Sequence, residues 1–558
     1  MLRRLLVSSV VLALAGCATH PANAPVQIDL VALNDFHGNL EPSKYTFKDA
    51  EGNTQTLRAG GIETLSGALQ AWRREDKDLL LVAAGDLVGA SPALSSMWAD
   101  EPSIEAMDML GLTASSLGNH EFDAGRQELL RKQRGGCDSP TPQKACQLAP
   151  NFGGAHFSYL AANVTDSATG KPLVQDWRVL DVKGVKVGVV GAVLQGTASV
   201  AMSSAIAGLS FADEAESINK AVPQMRAAGA KVFVVVIHEG GHTKESPFQQ
   251  DCSQLQGAIV GIVKKLDPAI RLVITGHSHT GYLCKVDGRV VTQAGSMGHL
   301  LTRIQMTVDP ASGAVENIDA RNVLMEPGKF QPDPRMTAFV ANVKARSEAA
   351  LARPIAKLGA PGVARKLNEA GESQLGDLIT DAIVAKTQDQ GTQIGFMNPG
   401  GIRKDLEANV DTTTTFGHAQ AVLPFGNTLV VMDLTGAQIR NLLEQQWARP
   451  ASSETMMLQV SAGFSYRWDE KQPKGSRIVP GSVKLNGAPL DDNKTYRVVA
   501  NNFLAEGGDN FPEFAKGTRR IDTQIRDLDA LTEYLGKHAN AGVPAATLVP
   551  TARIEKLR

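Results

Sequence analysis

Two hydrophobic periods alternate along this chain, and each change of period marks an element. Residues 26–33 alternate apolar with polar and run into Asn34-Asp35-Phe36-His37-Gly38, as a strand ending in a loop does. Residues 62–74 have helical spacing, whereas 79–84 are continuously apolar, which predicts a strand buried on both faces. That strand ends at Gly85-Asp86. A helix over 104–110 follows, then an apolar run with two serines, 114–117, that stops at Gly118-Asn119-His120-Glu121-Phe122-Asp123. The glycine there is expected to let the backbone turn sharply. Strands at 185–193, 232–237 and 272–275 come next, with a helix over 214–228. The latter two strands run into His238-Glu239-Gly240-Gly241-His242 and Gly276-His277-Ser278-His279. Strands at 290–293 and 304–308 close this half, and residues 133–156, rich in Gly, Pro, Gln and Cys, read as a surface insertion. Strands alternating with helices indicate α/β architecture.

The pattern changes near residue 330, where Pro327, Pro332 and Pro334 interrupt it. A polar, alanine-rich helix over 335–351 is placed to bridge two units. The remainder predicts helices at 375–386 and 436–447 and strands at 394–397, 429–433, 459–468 and 495–500. The domain reading is therefore a catalytic unit over 26–330, a linker helix over 331–353 and a smaller α/β unit over 354–558. A length of 558 residues fits two large domains better than one.

Composition adds a compartment. Hydrophobic residues at 43% and charged residues at 20% are ordinary for a globular protein, and a net charge of -2 offers no footprint for nucleic acid. Arg3 and Arg4 precede an apolar run, 5–14, too short to span a bilayer, so residues 1–17 read as a secretory signal. Its end, Leu14-Ala15-Gly16-Cys17, resembles the bacterial lipobox. That resemblance implies cleavage before Cys17, lipidation of its sulfur and a short tether over 18–25; a plain signal peptide is the alternative. Ala18 after the cysteine favours the outer membrane, hence a periplasmic or cell-surface location. Setting Cys17 aside leaves Cys137, Cys146, Cys252 and Cys284, an even number in an exported chain. Locality favours the disulfides Cys137–Cys146 and Cys252–Cys284; a four-thiolate zinc site lacks any Cys-x-x-Cys pair.

Five strand ends in the first half carry ligand-type residues: Asp35 and His37, Asp86, Asn119 and His120, His238, and His277 with His279. Loops at one edge of an α/β layer converge, so these groups can meet. Imidazole, carboxylate and amide donors together suit Zn, Mn, Fe or Co rather than Mg or Ca alone. Any one fragment is usually a cap or a turn; five in this order, each after a strand, are not expected by chance. His242 is less secure, and His20, His156, His299, His418 and His538 belong to no cluster.

These motifs, Asn-Asp-Phe-His-Gly at 34–38, Gly-Asp-Leu-Val at 85–88, Gly-Asn-His-Glu-Phe-Asp at 118–123, Ile-His-Glu-Gly around His238 and Gly-His-Ser-His at 276–279, resemble the calcineurin-like metallophosphoesterases, and more narrowly the 5′-nucleotidase family. The resemblance implies a four-layer αββα catalytic sandwich with two divalent ions, Zn, Mn or Co. Asp35, His37, Asp86 and His279 would hold one, and Asp86, Asn119, His238 and His277 the other. His279 stands where some members carry Gln or Asn. His120 would stabilise the transferring phosphoryl group, with Asp123 orienting it.

Three loops of the second half carry glycines, amides and aromatics: Asn398-Pro399-Gly400-Gly401-Ile402-Arg403, Leu423-Pro424-Phe425-Gly426-Asn427 and Asn501-Asn502-Phe503-Leu504 on to Asp509. Two phenylalanines on loops could clamp a flat heterocycle, and a guanidinium fork suits phosphate. The loops resemble the nucleotide-binding elements of the 5′-nucleotidase C-terminal domain. The resemblance implies base stacking between Phe425 and Phe503, ribose contacts from Asp509, base-edge contacts from Asn427 and Asn502, and substrate contacts from Asn398, Arg403 and Arg365. The expected activity is release of phosphate from nucleoside 5′-monophosphates by a monomer. Hydrolysis of UDP-sugars, dinucleotides or 2′,3′-cyclic nucleotides is the alternative of the same chemistry, and a non-catalytic nucleotide-binding surface lipoprotein the alternative of another.

Overall fold

The computed structural model describes residues 24–49, 51–202, 204–448, 456–544 and 552–557. Cys17, the signal segment and most of the tether lie outside the described residues. Among those described, no helix is long and apolar enough to cross a membrane.

The first half is built on two six-stranded sheets. One has the order Val315–Leu324, Leu300–Val308, Val26–Leu33, Leu80–Ala83, Leu112–Ser116, Ser158–Leu160. The other runs Gly281–Val286, Arg289–Ala294, Ile270–Thr275, Val232–His238, Val185–Val193, Trp177–Val182. The central strands of each are parallel, so their carboxyl ends point the same way. Ile28, Leu30 and Ala32 face Val187, Val234, Val236 and Ile274 in an apolar layer between the sheets. The opposite faces, Val31, Leu33 and Leu81 on one side and Val190, Phe233 and Val235 on the other, pack on the outer helices. Strands buried on both faces read as continuous apolar runs for this reason. The result is an α–β–β–α sandwich.

Helix Pro334–Leu351 starts at Asp333, whose side chain accepts from the Arg335 N–H, and buries Met336, Val340 and Val343 against the first half. After it a five-stranded sheet, order Gln459–Val460, Ile394–Met397, Thr495–Asn501, Thr428–Thr435, Thr518–Arg526, is covered on one face by helices Gln374–Lys386 and Asp527–Asn540. Residues 459–468, expected as strand, divide: Gln459–Val460 joins this sheet, and after a turn Phe464–Trp468 joins a smaller one. Helix 436–447 ends at Glu444 and tightens into a 3₁₀ turn, Gln445–Trp447.

The insertion at 133–156 carries the Cys137–Cys146 disulfide. It is anchored by buried charge: Arg131 donates to Glu101 and Glu128, and Glu101 also accepts from the Cys146 N–H at 2.9 Å. Cys252 pairs with Cys284, tying the loop before helix Ala258–Lys265 to an edge strand.

Candidate metal centre

Each ligand-type residue named from the sequence sits where a strand ends, and five of them have unusual backbones. Asp35 (φ 48°), His37 (47°), Asp86 (50°), His277 (70°) and His279 (56°) all adopt the left-handed conformation that non-glycine residues avoid. Strain of this kind persists where the surroundings over-determine it, and it clusters at functional sites.

The side chains converge. His37 Nε2 lies 3.1 Å from His279 Nε2 and 3.6 Å from Asp86 Oδ2, and His279 Nε2 is 3.3 Å from Asp35 Oδ1. On the other side of Asp86, His238 Nε2 is 3.1 Å from Asp86 Oδ2 and 3.1 Å from Asn119 Oδ1, which is 3.0 Å from His277 Nδ1. Asp86 is thus common to two groups of four. Ligand atoms on a tetrahedral cation at about 2.1 Å are roughly 3.4 Å apart, the spacing these atoms have. Asp35, His37 and His279 offer ligand atoms within 4.8 Å of one another, as do Asp35, Asp86 and His238. The outward-facing ring nitrogens are fixed by backbone carbonyls: His37 Nδ1 bonds Gly89 O, and His238 Nδ1 bonds Ala84 O, both at 2.8 Å. Such bonds choose the tautomer that leaves the other nitrogen free to ligate.

Charge points the same way. Burial drives His277 down to about 3, and burial takes His37 well below its usual pKa, so both rings are neutral donors at pH 7. Burial opposes protonation of His238 as well, yet Asp86 and Asp35 outweigh it and hold the ring at about 10. Two buried carboxylates demand a positive partner here, and a divalent cation meets that demand. The donor set fits one.

Beside this centre His120 Nδ1 bonds Asp123 Oδ2 at 2.8 Å. Burial lowers the His120 pKa, but Asp123 and Asp86 more than offset it, and the ring is held above its ordinary value. The His120 ring stacks on Phe425 of the second half, with centroids 5.6 Å apart and planes 18° from parallel. The Arg403 guanidinium lies 5.8 Å from the same phenyl ring. Burial and Arg365 lower the Arg403 pKa, against Asp86, Asp123 and Asp35, so its charge is felt at the metal centre. Asn398 Nδ2 donates to Asp509 Oδ2 at 2.7 Å, and Asn501 Nδ2 donates to Asn398 Oδ1 at 3.1 Å. Arg365 donates to the carbonyls of Ile402 and Arg403, bracing the loop that presents Arg403. Phe503 is half-buried against Gly508, and Asn502 Nδ2 meets Met202 Sδ of the first half at 3.4 Å. Asn427 is buried, and its carbonyl accepts from the Asp527 N–H at 2.9 Å. His242, exposed, bonds Thr280 rather than joining the cluster.

Residues 28–281 match the calcineurin-like phosphoesterase model, and residues 352–516 match that of the 5′-nucleotidase C-terminal domain. A cell wall protein of Listeria monocytogenes is 30% identical over 94% of this chain and 69% of its own length. The chain belongs to the 5′-nucleotidase family of calcineurin-like metallophosphoesterases. Its fold is that of a 5′-nucleotidase precursor from Thermus thermophilus, at a TM-score of 0.74 and 29% identity, over 96% of this chain and 100% of that one. An endonuclease of Bacillus subtilis, YhcR, is 27% identical over 91% of this chain, which spans 40% of the length of that relative.

Within this 5′-nucleotidase-family site, sequence reasoning left three residues without a role. Asn34 donates to Asp35 Oδ2 at 2.7 Å and to Gly295 O at 2.6 Å. Gln293, with its amide oriented to satisfy both ends, accepts from the N–H of His279 at 2.9 Å and of Thr280 at 3.1 Å and donates to Gly276 O at 3.1 Å. Glu121 accepts from three backbone amides. Each is a fully buried polar side chain; Asn34 and Glu121 lie inside motifs, whereas Gln293, at the end of strand Arg289–Ala294, carries no signal in the sequence. The chain does turn after Gly118, into the 3₁₀ segment His120–Phe122, but the glycine's φ is not positive; glycine is required there by space, because a Cβ would collide with the Asp86 carboxylate.

Proposed function

We propose that this chain hydrolyses nucleoside 5′-monophosphates outside the cytoplasm, with Asp35, His37, Asp86 and His279 holding one divalent ion and Asp86, Asn119, His238 and His277 a second. The observation that carries this reading is the contact of His120 with Phe425: a proton-bearing imidazole beside the metal centre touches the aromatic of a loop suited to a base. Divalent ions bound there would polarise the phosphoryl oxygens and make water nucleophilic near neutral pH. The chain's own groups do the rest. His120, whose proton Asp123 and Asp86 help retain against burial, donates to a phosphoryl oxygen as negative charge grows on it. Arg403 presents a second cation to the same phosphate. Asp509, fixed by Asn398, accepts from ribose hydroxyls. Phe425 and Phe503 hold the base between them, with Asn427 and Asn502 at its edge and Arg365 keeping the Arg403 loop in place.

In this reading residues 26–330 are catalytic, 331–353 link, and 354–558 select the substrate; the signal and Cys17 anchor the chain to the outer membrane. A panel of AMP, 3′-AMP, 2′,3′-cyclic AMP and UDP-glucose, assayed on metal-stripped and metal-restored protein, tests it. The expected result is AMP first in kcat/KM and no turnover without metal. AMP ranking last overturns the reading.

A further inference from the structure

Glu121 stands between the phosphoryl-facing His120 and the buried Phe122, and it is 1% exposed. Its carboxylate is taken up by backbone amides. Oε2 accepts from the N–H of Gly118 at 2.6 Å and of Asp86 at 2.9 Å, and Oε1 accepts from the N–H of Leu87 at 2.8 Å. The bridge is reciprocal, because Asp86 Oδ1 accepts from the His120 N–H at 2.9 Å. Two loops are therefore laced together, one after strand Leu80–Ala83 and one after strand Leu112–Ser116. The first carries Asp86, and the second carries Asn119 and His120.

We infer that Glu121 is a positioning residue for the metal centre: it sets the shared ligand Asp86 against Asn119 and His120. Asp86 is held in the left-handed conformation (φ 50°), which its neighbours must enforce, and Glu121 grips the amide at that residue and the next. The chemistry selects a carboxylate. Three N–H donors need three acceptor sites on two oxygens, which a carboxylate offers. A glutamine has one oxygen, and its NH₂ would face a backbone N–H. An aspartate keeps both oxygens but falls one methylene short. Nothing in the local pattern of the motif requires this residue to reach 34 or 35 positions back to Leu87 and Asp86; the two loops meet only because their strands are parallel neighbours.

The inference rests on Asp86 being a metal ligand and not on the nature of the substrate. The test is therefore read without substrate. Mn(II) is titrated into metal-free full-length protein, wild type, Glu121→Gln and Glu121→Asp, against a competing chelator, at a temperature where circular dichroism shows each chain folded. Altered support of a ligand costs about 10–100-fold in metal affinity; a loss in that range is expected for Glu121→Gln and a smaller loss in the same direction for Glu121→Asp. A carboxylate that merely satisfies buried amides would lower the unfolding temperature of the metal-free protein and leave Mn(II) affinity of the folded chain within about twofold of wild type. That result overturns the inference. Should Glu121→Gln fail to fold, Glu121→Asp carries the same readout, and failure of both to fold also decides for a purely structural role. A failed substrate panel with reduced Mn(II) affinity in these variants would sink the proposed substrate and leave Glu121's role standing.

Discussion

At the scale of residues, the centre works by exclusion as much as by ligation. Gly118 approaches the Asp86 carboxylate so closely that a methyl group has no room. Gly118→Ala is expected to cut kcat/KM by about 100-fold or more, since a displacement of 1 Å at a catalytic constellation costs that much. Metal content by mass spectrometry should fall with it, and retention of both would show that the loop can yield. The His120–Asp123 pair makes a separate prediction. Asp123→Asn keeps a partner for Nδ1 but removes one of the two charges that raise the imidazole's pKa. Loss of a positioned proton donor is worth about 10²–10⁴-fold, so kcat should drop by roughly that factor while metal content stays at the wild-type level.

Among elements, the strands of the two large sheets read from hydrophobic runs are the interior ones, while in the five-stranded sheet the edge strand Gln459–Val460 fell within an expected strand. All four edge strands of the two large sheets, Val315–Leu324, Ser158–Leu160, Gly281–Val286 and Trp177–Val182, escaped the pattern, as did the edge strand Thr518–Arg526 of the smaller sheet. For two of them the reason is exposure: interior Val232–His238 is buried at every position, whereas Val315–Leu324 and Trp177–Val182 are mostly half-exposed or exposed, and a strand with one neighbour needs no continuous apolar face. Ser158–Leu160 and Gly281–Val286 are largely buried, but the first has three residues and the second mixes Gly, Cys and Lys with its apolar positions. Helix Gly125–Arg134 escaped for a similar reason, since it is almost wholly polar in sequence yet buries Glu128, Arg131 and Lys132. The helix at Gln374–Lys386 carries a prediction of its own. Burial, with Glu372 adding to it against Arg553, pushes Asp377 up to about 8. The folded chain therefore keeps a proton there that the unfolded chain releases near pH 4. Stability from this group is complete below pH 4 and is lost as pH rises through 8. One unit of such a shift is worth about 1.4 kcal/mol. The unfolding temperature should fall by several degrees between pH 6 and 9, and Asp377→Asn should flatten that fall in calorimetry.

The whole molecule brings together groups that lie about 300 residues apart. Gln420 Nε2 donates to Ser96 Oγ at 3.0 Å, Ser204 Oγ meets Glu506 Oε1 at 3.2 Å, and Phe425 lies on His120. If that contact marks the substrate site, Phe425→Ala should lower kcat/KM for AMP by about tenfold relative to its effect on p-nitrophenyl phosphate, which has no purine to stack, because an aromatic pair is worth about 0.5–1.5 kcal/mol beyond its buried area. Equal losses on both substrates would place the ring outside base recognition. By itself the sequence determined which segments are interior strands and that five of them end in metal-ligand chemistry, because burial on two faces and a cluster of donors are both written locally. It also carried the family's motifs in the second half. The sharing of Asp86 between two ligand sets was already implied by the resemblance; only the tertiary structure decided that Asp86 lies within 3.6 Å of His37 and 3.1 Å of His238, that Glu121 and Gln293 hold the loops, that Gly118 is needed for space and that Phe425 meets His120. Apolar burial is non-directional and specifies that a strand is covered, not by what. The lacing of one loop to another depends on hydrogen bonds whose partners are far apart in the chain, and those exist only once the strands have found their neighbours.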